Sequence, residues 1–135
     1  MKYKIIDVEG IGPVYAEKLL AAGITDTDIL LEKCCKPAGR KALEEETGIS
    51  GKLILTWANH ADLIRINGIG PQFAELLEAA GVDTVKELKL RVAANLHAKL
   101  EEVNAEKNLC NRVPGEAELQ KMIDEAKELP AVMEY

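Results

Sequence analysis

The chain repeats itself, and the repeat limits what it can fold into more than any other feature. Ile6-Asp7-Val8-Glu9-Gly10-Ile11-Gly12-Pro13 returns as Ile64-Arg65-Ile66-Asn67-Gly68-Ile69-Gly70-Pro71, displaced by 58 positions. The correspondence runs on through Ala16-Glu17 with Ala74-Glu75, Leu19 with Leu77, and Ala21-Ala22-Gly23 with Ala79-Ala80-Gly81. One residue is then lost, so that Asp26-Thr27 matches Asp83-Thr84 and Leu43-Glu44-Glu45 matches Leu100-Glu101-Glu102 at a displacement of 57. Further on, Leu53, Trp57 and Leu63 fall on Leu119, Ile123 and Leu129 at 66, which places an insertion between about Asn104 and Gly115 of the second copy. A unit used twice must bury its apolar face against itself or its twin, so 1–63 and 64–135 are expected to pack as one compact domain.

Each copy reads as about four short helices. Pro13 and Pro71 suit a first helical position, where the missing N–H costs nothing and φ is preset. Tyr15, Ala16, Leu19 and Leu20, like Phe73, Ala74, Leu77 and Ala80, recur at helical spacing, and Gly23 and Gly81 suit the stop. Thr84 with Glu87 forms a capping box for the next helix, and Thr27 is the expected N-cap of its equivalent. Third helices are expected over 37–47 and 93–106, and fourth helices over 51–63 and 116–129, the last stopped by Pro130. No stretch alternates as a strand would. The expected fold is all-α, in two pseudo-symmetric halves.

Composition narrows the function. Seventeen Lys+Arg stand against 23 Asp+Glu, a net charge of −6. A protein that coats nucleic acid by bulk charge is basic, since affinity comes largely from neutralising phosphates, so any such contact here must be local and geometric. Three cysteines do not complete a disulfide framework and point to a reducing cytoplasm. Met1-Lys2-Tyr3-Lys4 is not followed by the apolar stretch of a signal peptide. The longest apolar run is about six residues, Leu53 to Ala58, against the roughly 20 of a membrane span. A cytoplasmic protein without membrane contact is expected.

The informative motif is apolar-x-Gly-Ile-Gly-Pro followed by an amphipathic helix and Ala-Gly-Ile or Ala-Gly-Val. It asks for a very tight turn, with Ile11 and Ile69 plugging the core between Gly10 and Gly12 and between Gly68 and Gly70. Such a turn leaves main-chain N–H groups at a helix N-terminus, an arrangement suited to anions. At these residues the chain resembles the helix-hairpin-helix superfamily of DNA repair proteins, ligases and polymerases. More closely it resembles a bacterial family of tandem helix-hairpin-helix proteins, domain of unknown function 4332, over most of its length. The resemblance implies sequence-independent DNA binding through backbone amides on phosphates, with a monovalent cation held by turn carbonyls in some members and paired hairpins gripping two strands. Carried onto this chain, the implied nucleic-acid-binding residues are Gly10, Ile11, Gly12, Val14 and Lys18 with Gly68, Ile69, Gly70 and Gln72.

The chain departs from that pattern where binding members carry Lys, Arg or a small polar residue after Gly-Pro. It has Val14 and Gln72 there; Lys18 has Leu76 as its counterpart, and Glu9, Glu17, Glu75 and Glu78 lie nearby. A helix N-terminus contributes about 0.3–1 kcal/mol per surface anion, so two elbows predict weak binding with a salt slope of about two to four phosphates. The competing reading is a protein-interaction or assembly module in which Gly-Ile-Gly-Pro is only a good connector. Elbows capped from within, or buried against each other, would favour that second reading.

No enzyme is expected. Cys34-Cys35 and Cys110 lack the ligand spacing of a zinc site and read as small packed residues. His60 and His97 have no Ser or Cys at nucleophile spacing and read as surface or partly packed residues. Trp57 matches an isoleucine and reads as core, and Tyr15 and Phe73 as core anchors able to meet between the hairpins. Glu44-Glu45-Glu46 and Glu101-Glu102 diverge by about 100° per residue and read as solvated faces. Lys33, Lys36, Arg40 and Lys41 form the one basic cluster, read as surface charge or as a supplementary phosphate contact.

Overall fold

The computed structural model describes residues 2–135; Met1, the first residue of the stretch weighed as a signal peptide, lies outside them. Among the described residues, eight α-helices follow a single 3-10 turn at Ile5–Asp7: α1 Pro13–Ala21, α2 Thr27–Cys34, α3 Pro37–Thr47, α4 Gly51–Ile64, α5 Pro71–Ala79, α6 Val85–Leu88, α7 Ala93–Lys107 and α8 Glu116–Glu128. The described residues contain no strand, and one isolated antiparallel bridge joins Lys4 to Asp26. The fold is all-α.

Proline opens α1, α3 and α5, as its preset φ and missing donor suit. The start of α2 differs from expectation. Asp26, not Thr27, is the N-cap, its carboxylate accepting from the Ile29 amide at 2.9 Å. Thr27 is instead buried, exchanging bonds with Tyr3: its Oγ1 accepts from the Tyr3 N–H at 3.0 Å and its own N–H donates to the Tyr3 carbonyl at 2.9 Å. Thr84 caps α6 through the Glu87 amide, but the Glu87 carboxylate turns to Arg91, 2.7 Å away, so only half the capping box forms. The glutamates of α3 are not merely solvated either. Glu44 accepts from the Gly51 amide at 2.8 Å and, with Ser50 on Leu53, satisfies the start of α4.

Among the described residues, the buried hydrophobic side chains form two clusters. Ile5, Val8, Ile11, Leu19, Ile24, Leu30, Ile54 and Trp57 belong to the first, and Ile66, Ile69, Phe73, Leu77, Leu100, Leu119 and Ile123 to the second. Helix α4 joins them. Its Ile54, Trp57, Ala58 and Ala61 face the first cluster, whereas Leu63 and Ile64 belong to the second. Everything from Trp57 to Ile64 is buried, so α4 is a core helix wet on almost no side. Tyr15 and Phe73 do not meet between the elbows. Tyr15 stacks edge-on against Trp57 with ring centroids 5.2 Å apart, and Phe73 lies in the second cluster.

Burial overturns two readings of polar residues. His60 is 2% exposed and Arg40 is 8% exposed, so neither is a surface group. Arg40 donates through Nη1 to the Cys34 carbonyl at 3.0 Å and through Nη2 to the Glu134 carbonyl at 2.8 Å, which removes it from the basic cluster. The three thiols are free, with Cys34 in the first cluster and Cys110 in the second. Burial pushes the Cys34 thiol up to about 11, so it is a protonated packing group at neutral pH.

Candidate nucleic-acid interface

Both elbows have the same backbone. Gly10 and Gly68 adopt φ of +90° and +91°, the left-handed region that a side chain resists, and Gly12 and Gly70 are extended N-caps of α1 and α5. Each left-handed glycine lies on a side chain from the last helix of its own copy. A Cβ on Gly10 would stand 3.3 Å from Trp57 Nε1, and one on Gly68 would stand 3.0 Å from Met122 Cε. Ile11 and Ile69 plug the clusters as expected, but they offer no donors. The Ile11 amide is bonded to the Val8 carbonyl and the Ile69 amide to the Ile66 carbonyl, each at 3.1 Å. The expectation of an outward amide therefore fails at these two residues.

The elbows differ in what surrounds them. At the first, the amides of Gly12, Val14 and Tyr15 have no hydrogen-bond partner among the described residues. Val14 is 67% exposed, and a Cβ on Gly12 would meet nothing within 4 Å. Lys18, one turn on, is exposed and without an ion pair among the described residues. At the second, the amides of Gly68, Gly70 and Gln72 are also unpartnered, but the neighbouring Asn67 amide is taken by the Glu125 carboxylate at 3.1 Å. Tyr3 stands over this elbow, its Oη 3.2 Å from where a Gly70 Cβ would be. The second elbow therefore opens into a groove of about 560 Å³ whose walls include Tyr3, Asp7, Glu9, Gln72 and Arg112. Arg112, its cation, is ion-paired with Glu118.

An acidic cluster lies beside this groove. Burial, then the Glu9 carboxylate, raise the Glu75 carboxyl above its ordinary 4.5; Glu78 adds to this and His60 offsets part of it. Cys110 is raised by burial and by Glu75 and Glu9. His60 Nε2 lies 3.1 Å from Glu78 Oε2, and its Nδ1 is buried without a partner among the described residues. His97 contacts the Pro114 carbonyl at 3.1 Å and faces Glu101 at 3.7 Å, fastening the insertion to α7.

The Glu75 shift has a sign that can be tested. A carboxyl whose folded value is raised binds its proton more tightly when folded. Its contribution to stability is therefore complete below the unfolded value of 4.5 and is lost as pH rises through the folded value. Glu75→Gln is expected to raise the thermal midpoint at neutral pH and to leave it unchanged below about pH 4. An equal effect at both pH values would show that charge is not the cause.

Four features escape the sequence pattern: the Tyr3 cover, the Glu125 cap, the burial of His60, and the return of residues 130–135 to the first copy. None has a local signal, because each joins residues 18 or more positions apart.

Fold and site together define an all-α protein built around two glycine elbows, one open and one screened by its own acidic and aromatic groups. The family model described as Domain of unknown function (DUF4332) matches residues 9–129. The chain belongs to that family. Searches of curated proteins and of solved structures return no match. No helix among the described residues is long and apolar enough to cross a membrane.

Proposed function

We propose that the chain is a non-enzymatic module of the reducing cytoplasm that holds a nucleic-acid backbone, without reading its sequence, on the first elbow. The observation that carries this reading is the set of amides at Gly12, Val14 and Tyr15 that have no partner among the described residues, opening to solvent with Lys18, likewise unpaired among them, one turn away. Aligned N–H groups and the helix dipole favour an anion there, and Lys18 adds one cation. The second elbow, with Gly68, Gly70 and Gln72, contributes less, because Asp7 and Glu9 repel a second phosphate at its groove. The two-strand grip implied by the resemblance is therefore reduced to one strand.

The expected affinity is weak, at or beyond the non-specific range of about 10⁻⁴–10⁻⁶ M, with a salt slope of about one to three phosphates. Anisotropy of labelled duplex and single-stranded DNA at low salt measures both. Lys18→Glu and Gly12→Val are expected to weaken binding at least threefold each, while Gln72→Glu has the smaller effect. Gly12→Val is informative because open space surrounds the position and its backbone is extended, so the fold tolerates it. Absence of binding at low salt, or indifference to both first-elbow variants, removes the proposal.

A second reading, a protein-docking module, draws on Ile6, Val14 and Leu20, large apolar residues of the first copy exposed at 43%, 67% and 50%. Val14→Lys separates the two. It adds a cation beside the open amides and strengthens nucleic-acid binding, whereas it disrupts an apolar contact.

A further inference from the structure

Residues 130–135 leave α8, whose buried residues all belong to the second cluster, and cross to the first copy. Met133 is buried in the first cluster. The Glu134 main chain is bonded on both sides: its N–H donates to the Cys35 carbonyl at 2.7 Å, and its carbonyl accepts from Arg40 Nη2 at 2.8 Å. The Glu134 carboxylate faces Lys36 Nζ at 4.0 Å. The Tyr135 hydroxyl donates to Asn59 Oδ1 at 3.1 Å, and its ring lies under the Arg40 guanidinium, 5.8 Å from the centroid. Before these contacts, Pro130 and Ala131 are exposed, held by one bond from Arg65 Nη2 to the Pro130 carbonyl at 3.0 Å.

These contacts hold three successive residues by main chain and side chain, with Met133 buried and Tyr135 68% exposed. One carbonyl and one guanidinium read the main chain of a single residue, an apolar socket takes the methionine, a lysine faces the acidic side chain, and an amide oxygen with a stacked cation takes the tyrosine. Arg40 is preset for the task, because its other nitrogen is already tied to the Cys34 carbonyl. We infer that this corner between α2, α3 and α4 is a docking socket for an extended Met-acidic-Tyr segment, and that its partner in trans is the same segment of a second copy of this chain.

The choice of a second copy follows from the contacts. Exchange preserves every contact of residues 133–135 named above and changes only which molecule supplies it. The connection through 129–132 is short, so the chain's own segment competes at an effective concentration on the order of millimolar and keeps the socket closed in dilute solution. Opening the segment in one molecule leaves a socket that the same segment of another molecule can fill.

Complementation between full-length variants tests this. Met133→Asp spoils the segment and leaves the socket intact; Arg40→Ala spoils the socket and leaves the segment intact. With both confirmed folded by circular dichroism, each alone is expected to sediment as a monomer. Their equimolar mixture is expected to form a 1:1 heterodimer that excess synthetic peptide of residues 129–135 dissolves. A mixture that stays monomeric at about 1 mM, the range set by a short tether, overturns the inference. Should either variant fail to fold, the isotope-labelled wild-type chain is titrated with the same peptide. Saturable shifts confined to the surroundings of Cys35, Arg40 and Asn59 support the socket, and no shifts at several millimolar defeat it.

Discussion

Replacing Asp62 by alanine should cost about 3–5 kcal/mol of folding stability, a large part of the 5–15 kcal/mol typical of a domain. Asp62 is 2% exposed on α4, and both carboxylate oxygens are used. Oδ1 accepts from Arg65 Nη1 at 2.7 Å, and Oδ2 accepts from the Val85 amide at 2.8 Å. Alanine leaves the Arg65 guanidinium without its counterion and an N-terminal amide of α6 without its acceptor. That helix has four residues, too few to hold itself, so its start depends on Asp62 from α4 as well as on Thr84. Asp62→Asn keeps an acceptor for one of the two donors and is expected to fall between. Urea denaturation with both variants measures this, and a loss below about 1 kcal/mol for alanine would place the pair among ordinary surface ion pairs.

Gly39→Ala should also destabilise strongly, in a direction opposite to local propensity. In an exposed helix interior, glycine to alanine stabilises by about 1 kcal/mol. Here a Cβ on Gly39 would lie 1.9 Å from the Lys33 carbonyl oxygen and 3.1 Å from its carbon, where α3 crosses the end of α2. The obstacle is backbone, so the two helices must separate, taking with them the Arg40 bond to the Cys34 carbonyl. A loss of about 3 kcal/mol or more is expected, the upper end of overpacking costs. Gly12→Ala serves as the control: it meets no atom within 4 Å and loses at most about 1 kcal/mol as an N-cap change. Equal denaturation midpoints for Gly39→Ala and the wild-type chain would show that α2 and α3 part freely.

The elbows were legible residue by residue. Proline at a first helical position, a left-handed glycine two residues before the N-cap and an isoleucine between the glycines are local demands, and Gly10 and Gly68 meet them alike. Trp57 was readable as core because its counterpart in the other copy is Ile123. Arg40 reads as surface charge because the group that holds it is remote in the chain. Charge in a helix pattern points to solvent unless something distant supplies acceptors, and the Glu134 carbonyl lies 94 positions away. His60 was misread likewise, since its partner Glu78 comes from α5. Thr27 lost the cap of α2 to Asp26 because a segment near the start of the chain claimed its hydroxyl.

What the sequence by itself determined is therefore everything written at helical or turn range: an all-α fold, the element order, and two glycine elbows of one geometry. Those features depend on φ, capping and apolar period, which a few neighbouring residues control. Only the tertiary structure decided that the elbows differ in cover, the first open and the second screened by Tyr3, Glu9 and Glu125. It alone brought residues 130–135 back across α4 to the first copy. Both outcomes depend on which distant groups meet in space, and burial sets their energies: a carbonyl, a carboxylate or a ring decides the fate of a donor only where packing brings it within about 3 Å.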